Sequence, residues 1–143
     1  MKNLKGVLVV FILILSGSGY LYSQPKAFNL STRIQFFTFT ETSEIKLPVF
    51  QIGPLNLKIT STLFSGDLTI EFYDSKGEKQ GNFSIANQAI LPKPDSIKRP
   101  LNETVRGEIT RNFENPGKGE WMVKLIPKNA SGFLEINSTQ DAK

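Results

Sequence analysis

The chain has 143 residues, with 17 Lys+Arg against 13 Asp+Glu and a formal net charge of +4, and it contains neither histidine nor cysteine. Without histidine it lacks the commonest general base, the Ser-His-Asp arrangement and most transition-metal ligand sets. Without cysteine it lacks thiol nucleophiles, thiolate metal sites and disulfide staples. The charge excess is small and dispersed, which argues against a nucleic acid or an anionic membrane surface as partner.

The amino terminus is the first element. Lys2 and Lys5 flank the start of the chain, Val7–Leu15 (VLVVFILIL) is unbroken apolar sequence, and Ser16, Gly17, Ser18 and Gly19 close it. Positive, then apolar, then small is the order of a cleavable secretory signal peptide. It is expected over 1–23, with cleavage between Ser23 and Gln24. A membrane-spanning helix needs about 20 apolar residues, roughly twice this run, so no span is expected after cleavage. A retained anchor is the alternative. A lipid anchor is excluded, because there is no cysteine to accept it. Removal of Lys2 and Lys5 halves the +4 excess. The expected location is secreted or periplasmic, and about 120 mature residues can hold a core without staples.

The remainder, 24–137, has the period-two pattern of half-buried strands. Ile34–Thr40 (IQFFTFT) comes first; its adjacent Phe36 and Phe37 require a bulge or cover on both faces. Glu44–Ile52 follows as an edge strand or a broken one, because Pro48 lacks a ladder donor. Leu55–Thr62 and Leu68–Tyr73 alternate cleanly, with Ser65-Gly66-Asp67 expected to turn a hairpin between them. Asp74-Ser75-Lys76-Gly77 is a second turn, and Asn82–Ile85 a weaker strand.

Pro92–Thr104 (PKPDSIKRPLNET) has three prolines and little apolar content, and reads as an exposed extended loop. Val105–Phe113 then alternates, with Gly107 marking a bulge or a packing point. After the Asn115–Gly119 turn, Glu120–Ile126 (EWMVKLI) places Trp121, Val123 and Leu125 inward. Lys128–Gly132 turns again into Phe133–Asn137, and 138–143 reads as a frayed polar tail. The whole predicts an all-β fold, a single β-sandwich of about eight strands with jelly-roll or immunoglobulin-like topology.

Few residues carry chemistry. The carboxylates are scattered on outward strand positions and in turns, so a carboxylate-dependent hydrolase is the least favoured reading. Asp67, Asp74 and Glu78 are the oxygen ligands nearest to a calcium pattern, but no Asp-x-Asp-x-Asp run exists, and neither metal nor cofactor is expected. The candidate partner-binding loop residues are Lys93, Asp95, Lys98 and Arg99, since ordered loops often hold binding sites. Tyr73, opposite in facing to Phe72, is the candidate surface aromatic. Asn29, Asn82, Asn102, Asn129 and Asn137 stand in Asn-x-Ser/Thr triplets, which accept glycans only in a eukaryotic secretory path.

Asp95-Ser96-Ile97 resembles the short O-glycosylation motif of exported Bacteroidetes proteins. Gly119, Trp121, Val123, Leu125 and Gly132, within Asn115–Ile136, resemble the closing hairpin of exported bacterial β-sandwich modules, the pre-peptidase carboxy-terminal and proprotein-convertase P-type domains. That resemblance is one of packing: it implies the sandwich fold and transfers no site residue. Taken together, the sequence predicts an exported non-enzymatic binding module. Its expected partner is a protein or another component of the cell envelope, with carbohydrate binding the alternative.

Overall fold

The computed structural model describes residues 9–15, 27–50, 52–87 and 104–142. Among them the fold is all-β, one antiparallel sheet of seven strands. They are β1 (Val9–Leu15), β2 (Ala27–Phe39), β3 (Ser43–Val49), β4 (Leu55–Tyr73), β5 (Lys79–Asn87), β6 (Val105–Phe113) and β7 (Gly119–Asp141). The order is β1-β2-β7-β4-β5, with β3 also on β7 and β6 also on β4.

Two long strands organise everything else. The first half of β4 pairs with the second half of β7, Leu55 opposite Gln140 through Leu63 opposite Gly132. The second half of β4 pairs with the first half of β7, Asp67 opposite Lys128 through Tyr73 opposite Met122. β2 lies outside the second half of β7 and β6 outside the first half of β4. β3 and β5 flank the other two halves.

Between the halves the ladder slips, at Leu63/Ser65 and Ser65/Asp67. This slip changes which residues face inward. In β4 the buried positions are Leu55, Leu57, Ile59, Ser61 and Leu63 before it, and Leu68, Ile70 and Phe72 after it. In β7 they are Trp121, Val123 and Leu125 before, and Ala130, Leu134, Ile136, Ser138 and Gln140 after. An uninterrupted strand keeps one parity on one face, so an odd insertion exchanges them. Because both strands change parity at the same level, both halves supply one core cluster.

Here the structure corrects the sequence reading. Ser65-Gly66-Asp67 and Lys128–Gly132 were expected as hairpin turns that end strands. They are kinks inside β4 and β7, and they lie against each other, Ser65 opposite Ser131. Gly66 (φ +74°) and Asn129 (φ 48°) are in the left-handed region, which produces a bend as readily as a turn. Continuity there merges four expected strands into two.

Other expectations meet the structure directly. Trp121 is 3% exposed and its indole Nε1 donates to the Gly117 carbonyl at 2.8 Å. β6 has the predicted bounds, and Gly107 is a packing point: a Cβ there would stand 2.5 Å from Cζ of Phe83. Pro48 sits in β3, which among the described residues pairs with β7 alone. Phe113 of β6 meets Trp121 edge-on at 4.9 Å and Phe72 at 6.3 Å, so rings from three strands interlock in the core.

The expected frayed tail, 138–143, is corrected as well. β7 continues to Asp141, with Ser138 and Gln140 buried. The Gln140 side chain explains it: its Oε1 accepts from the Phe50 amide and its Nε2 donates to the Phe50 carbonyl, both at 2.9 Å. A polar residue is thus buried with its bonds satisfied. The domain boundary expected at 137 therefore extends to Asp141.

Candidate functional site

Alternation leaves two outward faces. On the first, two rungs cross β3, β7, β4 and β5: Glu44, Lys124, Glu71 and Asn82, then Lys46, Met122, Tyr73 and Lys79. Tyr73, the surface aromatic singled out from sequence, is half-buried here. Its hydroxyl donates to Glu71 Oε2 at 2.6 Å, and Lys79 Nζ donates to Glu71 Oε1. The Lys79 and Tyr73 bonds hold the Glu71 carboxyl below the usual carboxylate range. The same bond to Glu71 pushes the Tyr73 phenol up. At one edge Lys46 pairs with Glu120 at 2.8 Å. This face is a charge-matched network with its ring's polar handle already engaged.

The neighbouring turn is closed on itself. Asp74 Oδ1 accepts from the Lys76 and Glu78 amides at 2.9 Å each, and Oδ2 accepts from Gln80 Nε2 at 2.8 Å. Those bonds, the Glu78 amide first, lower the Asp74 carboxyl. Asp74 caps a turn and has little left to offer a cation. Among the described residues no three acidic side chains gather as a metal-holding group.

The second outward face carries the aromatics. One rung reads Gln35, Phe133, Thr62 and Arg106 across β2, β7, β4 and β6. The next reads Arg33, Glu135, Thr60 and Glu108. Phe64, at the kink of β4, is 39% exposed and meets Phe133 edge-on at 5.2 Å. The Arg33 guanidinium lies over the Phe133 ring, 5.2 Å from its centroid. This is cation–π geometry, which holds both groups in place. Lys58 and Thr60 engage Glu108, at 3.1 Å and 3.4 Å, and stiffen the far side. Phe37 is 53% exposed nearby in sequence, in the irregular stretch of β2 between Phe36 and Phe39. Thr38 there has φ 47°, and its amide donates to Ser131 Oγ at 2.9 Å.

The sequence reading missed Phe64, Phe133 and Arg33. For Phe37 alone a signal was present: adjacent Phe36 and Phe37 cannot both face the core of a two-faced strand, and the structure buries Phe36 while exposing Phe37. Phe64 and Phe133 meet only because the kinks align, which no local pattern reveals. The loop residues Lys93, Asp95, Lys98 and Arg99 lie outside the described residues, as does the Asp95-Ser96-Ile97 triplet. Of the leader expected over 1–23, the described part is β1.

No protein-family model matches the chain, and no curated protein matches it by sequence. Among solved structures, that of TmCBM61 in complex with beta-1,4-galactotriose is similar to it at 12% identity and a TM-score of 0.37. The overlap covers 98% of this chain and 90% of that one.

Proposed function

We propose that this chain is an exported, non-enzymatic binding module, a β-sandwich made by doubling one sheet at the aligned kinks of β4 and β7. We place its ligand face on the rungs around Phe64, Phe133 and Arg33. The observation that carries the reading is an aromatic pair, Phe64 exposed and Phe133 half-buried, set among hydrogen-bonding side chains on one face. Ring faces and edges pack on the C–H faces of a pyranose, and Gln35, Thr62, Arg106 and Glu135 lie on the same face to meet its hydroxyls. No large contiguous apolar patch surrounds the pair on these rungs, where polar and charged side chains alternate with the rings. The favoured ligand is therefore an envelope polysaccharide.

Affinity electrophoresis of the exported protein through gels containing candidate envelope polysaccharides tests this. Retardation is expected, and Phe64→Ala or Phe133→Ala should weaken it about tenfold, the equivalent of ~1.4 kcal/mol. Equal retardation of wild type and both variants refutes the face. A protein partner is the second reading, favoured by Phe37 at 53% exposure. Pull-down of an envelope protein that Phe37→Ser abolishes, without polysaccharide binding, would replace the first reading with it.

A further inference from the structure

β2 and β4 each carry an extra residue beside the same point of β7. On β2, Phe36 is opposite Gly132 and Phe39 opposite Ala130, so Phe37 and Thr38 stand against Ser131 alone. On β4, Leu63 is opposite Gly132 and Ser65 opposite Ser131, so Phe64 is the residue left over. Both are β-bulges, which re-aim side chains and are over-represented beside active sites. They flank Ser131 from its two sides.

Each bulge turns a phenylalanine outward. Phe37 is 53% exposed and Phe64 39%, and these are the exposed large hydrophobics among the described residues. Alternation places both on one face: Phe36 and Leu63 are buried, so the residue after each points outward, as Gln35 and Thr62 do. With β7 between them, β2 and β4 are two strand spacings apart, about 9–10 Å. Phe133 is one outward step back along β7, in contact with Phe64.

The floor between the two exposed rings is polar. Ser131 Oγ accepts from the Thr38 amide at 2.9 Å, which leaves the serine proton to donate. The same bond holds Thr38 at φ 47°, left-handed backbone that a β-branched residue rarely adopts. Ring, hydroxyl, ring is an order that complements a glycan chain, whose C–H faces alternate with oxygen acceptors.

We infer that Phe37 and Phe64 are platforms for two sugar units of one glycan chain, which lies across β2, β7 and β4 with Ser131 beneath it. This rests on the polysaccharide reading above and narrows it. The site takes a run of linked units, because a single pyranose is too narrow to reach both rings. Once one unit is seated the second contact is intramolecular, so affinity rises with chain length until both rings are covered.

The probe is the polysaccharide fraction extracted from the producing cell's envelope, set in an electrophoresis gel, with fragments of it from partial acid hydrolysis, sized by gel filtration, as competitors. Phe37→Ala is expected to weaken retardation about tenfold, as Phe64→Ala does. Fragments that reach both rings should displace the wild type at about tenfold lower concentration than single sugars, and Phe37→Ala should erase that advantage. Phe37→Tyr keeps a ring on the same bulge and should bind as the wild type does; if it fails as Phe37→Ala does, the shape of the bulge and not the ring is responsible, and the assignment falls. A wild type that migrates freely refutes the polysaccharide reading and this inference together. Retardation that Phe64→Ala weakens and Phe37→Ala leaves intact refutes the inference alone, as does a single sugar that competes as well as the longest fragment.

Discussion

The aligned kinks can be tested with three glycines that separate left-handed strain from steric overlap. Gly77 has φ +81° with open space where a Cβ would project. Gly66 has φ +74°, and a Cβ there would stand 2.2 Å from the Asn129 carbonyl oxygen. At Gly132 a Cβ would stand 2.0 Å from the Thr62 carbonyl oxygen, and neither φ nor flexible side chain is at issue. Gly77→Ala therefore adds only left-handed strain, about 1–2 kcal/mol. Gly66→Ala adds the same strain and overpacking against backbone of about 1–3 kcal/mol, or about 2–5 kcal/mol together. Gly132→Ala adds overpacking alone, at or above the top of that range, because the opposed atoms are backbone. At this size ~1 kcal/mol shifts Tm by about 3–6 °C. Trp121, the only tryptophan and buried beside Phe113, reports unfolding by fluorescence in urea or on heating. Asparagine separates the two costs, since it tolerates the left-handed region. Gly77→Asn should approach wild type, and Gly66→Asn should remain as damaged as Gly66→Ala. If Gly66→Ala costs no more than Gly77→Ala, the two kinks do not bear on each other, and the register slip between β4 and β7 needs another cause.

Two further outcomes follow from the interior and the polar face. Among the described residues the hydroxyls of Ser61 and Ser138 are buried without a hydrogen-bond partner, and such a group costs about 1–3 kcal/mol. Ser138→Ala should therefore leave Tm unchanged or raise it, and a loss of several degrees would reveal a bond to that oxygen. Tyr73 should titrate above an ordinary tyrosine, because its proton is held by Glu71. A raised folded pKa favours the protonated form. This stability is present below the unfolded value and is lost as pH rises through the folded one. Tyr20 and Tyr22 fall within the leader expected over 1–23, so in a chain from which it has been removed Tyr73 would be the sole phenol. Absorbance at the tyrosinate band reads it directly, and Glu71→Gln should lower the midpoint; an unmoved midpoint would refute the pairing.

The inward residues were legible because burial and alternation coincide along half a strand. Leu55, Leu57 and Ile59, then Leu68, Ile70 and Phe72, are inward as their spacing predicts. The link between those halves was not legible. Glycine and asparagine in left-handed conformations mark hairpins and kinks alike, and the choice rests on what lies opposite. Here each kink has the other for a partner, sixty-odd residues away in sequence. The tail failed for a related reason: Ser138 and Gln140 are polar, and burial of Gln140 depends on its bonds to the backbone of Phe50 and Gly53.

The same dependence governs the face around Phe64 and Phe133. Tyr73 was selected because one strand's alternation turned it outward, and it is outward, but Glu71 and Lys79 from its own and the adjacent strand engage the network around it. Phe133 follows a glycine at what reads as a turn, and Phe64 precedes one. Each alone reads as a loop aromatic. Only when β4 and β7 slip together do Phe64 and Phe133 come into edge-on contact, with Arg33 carried in by β2. The kink that lets one core serve both halves of the sheet is therefore also what assembles the exposed aromatic group. Gly132, beside Phe133 and packed on the Thr62 carbonyl, couples the two. A variant that opens this corner should lose stability and ligand retention together, whereas Phe64→Ala should lose retention with little effect on Tm.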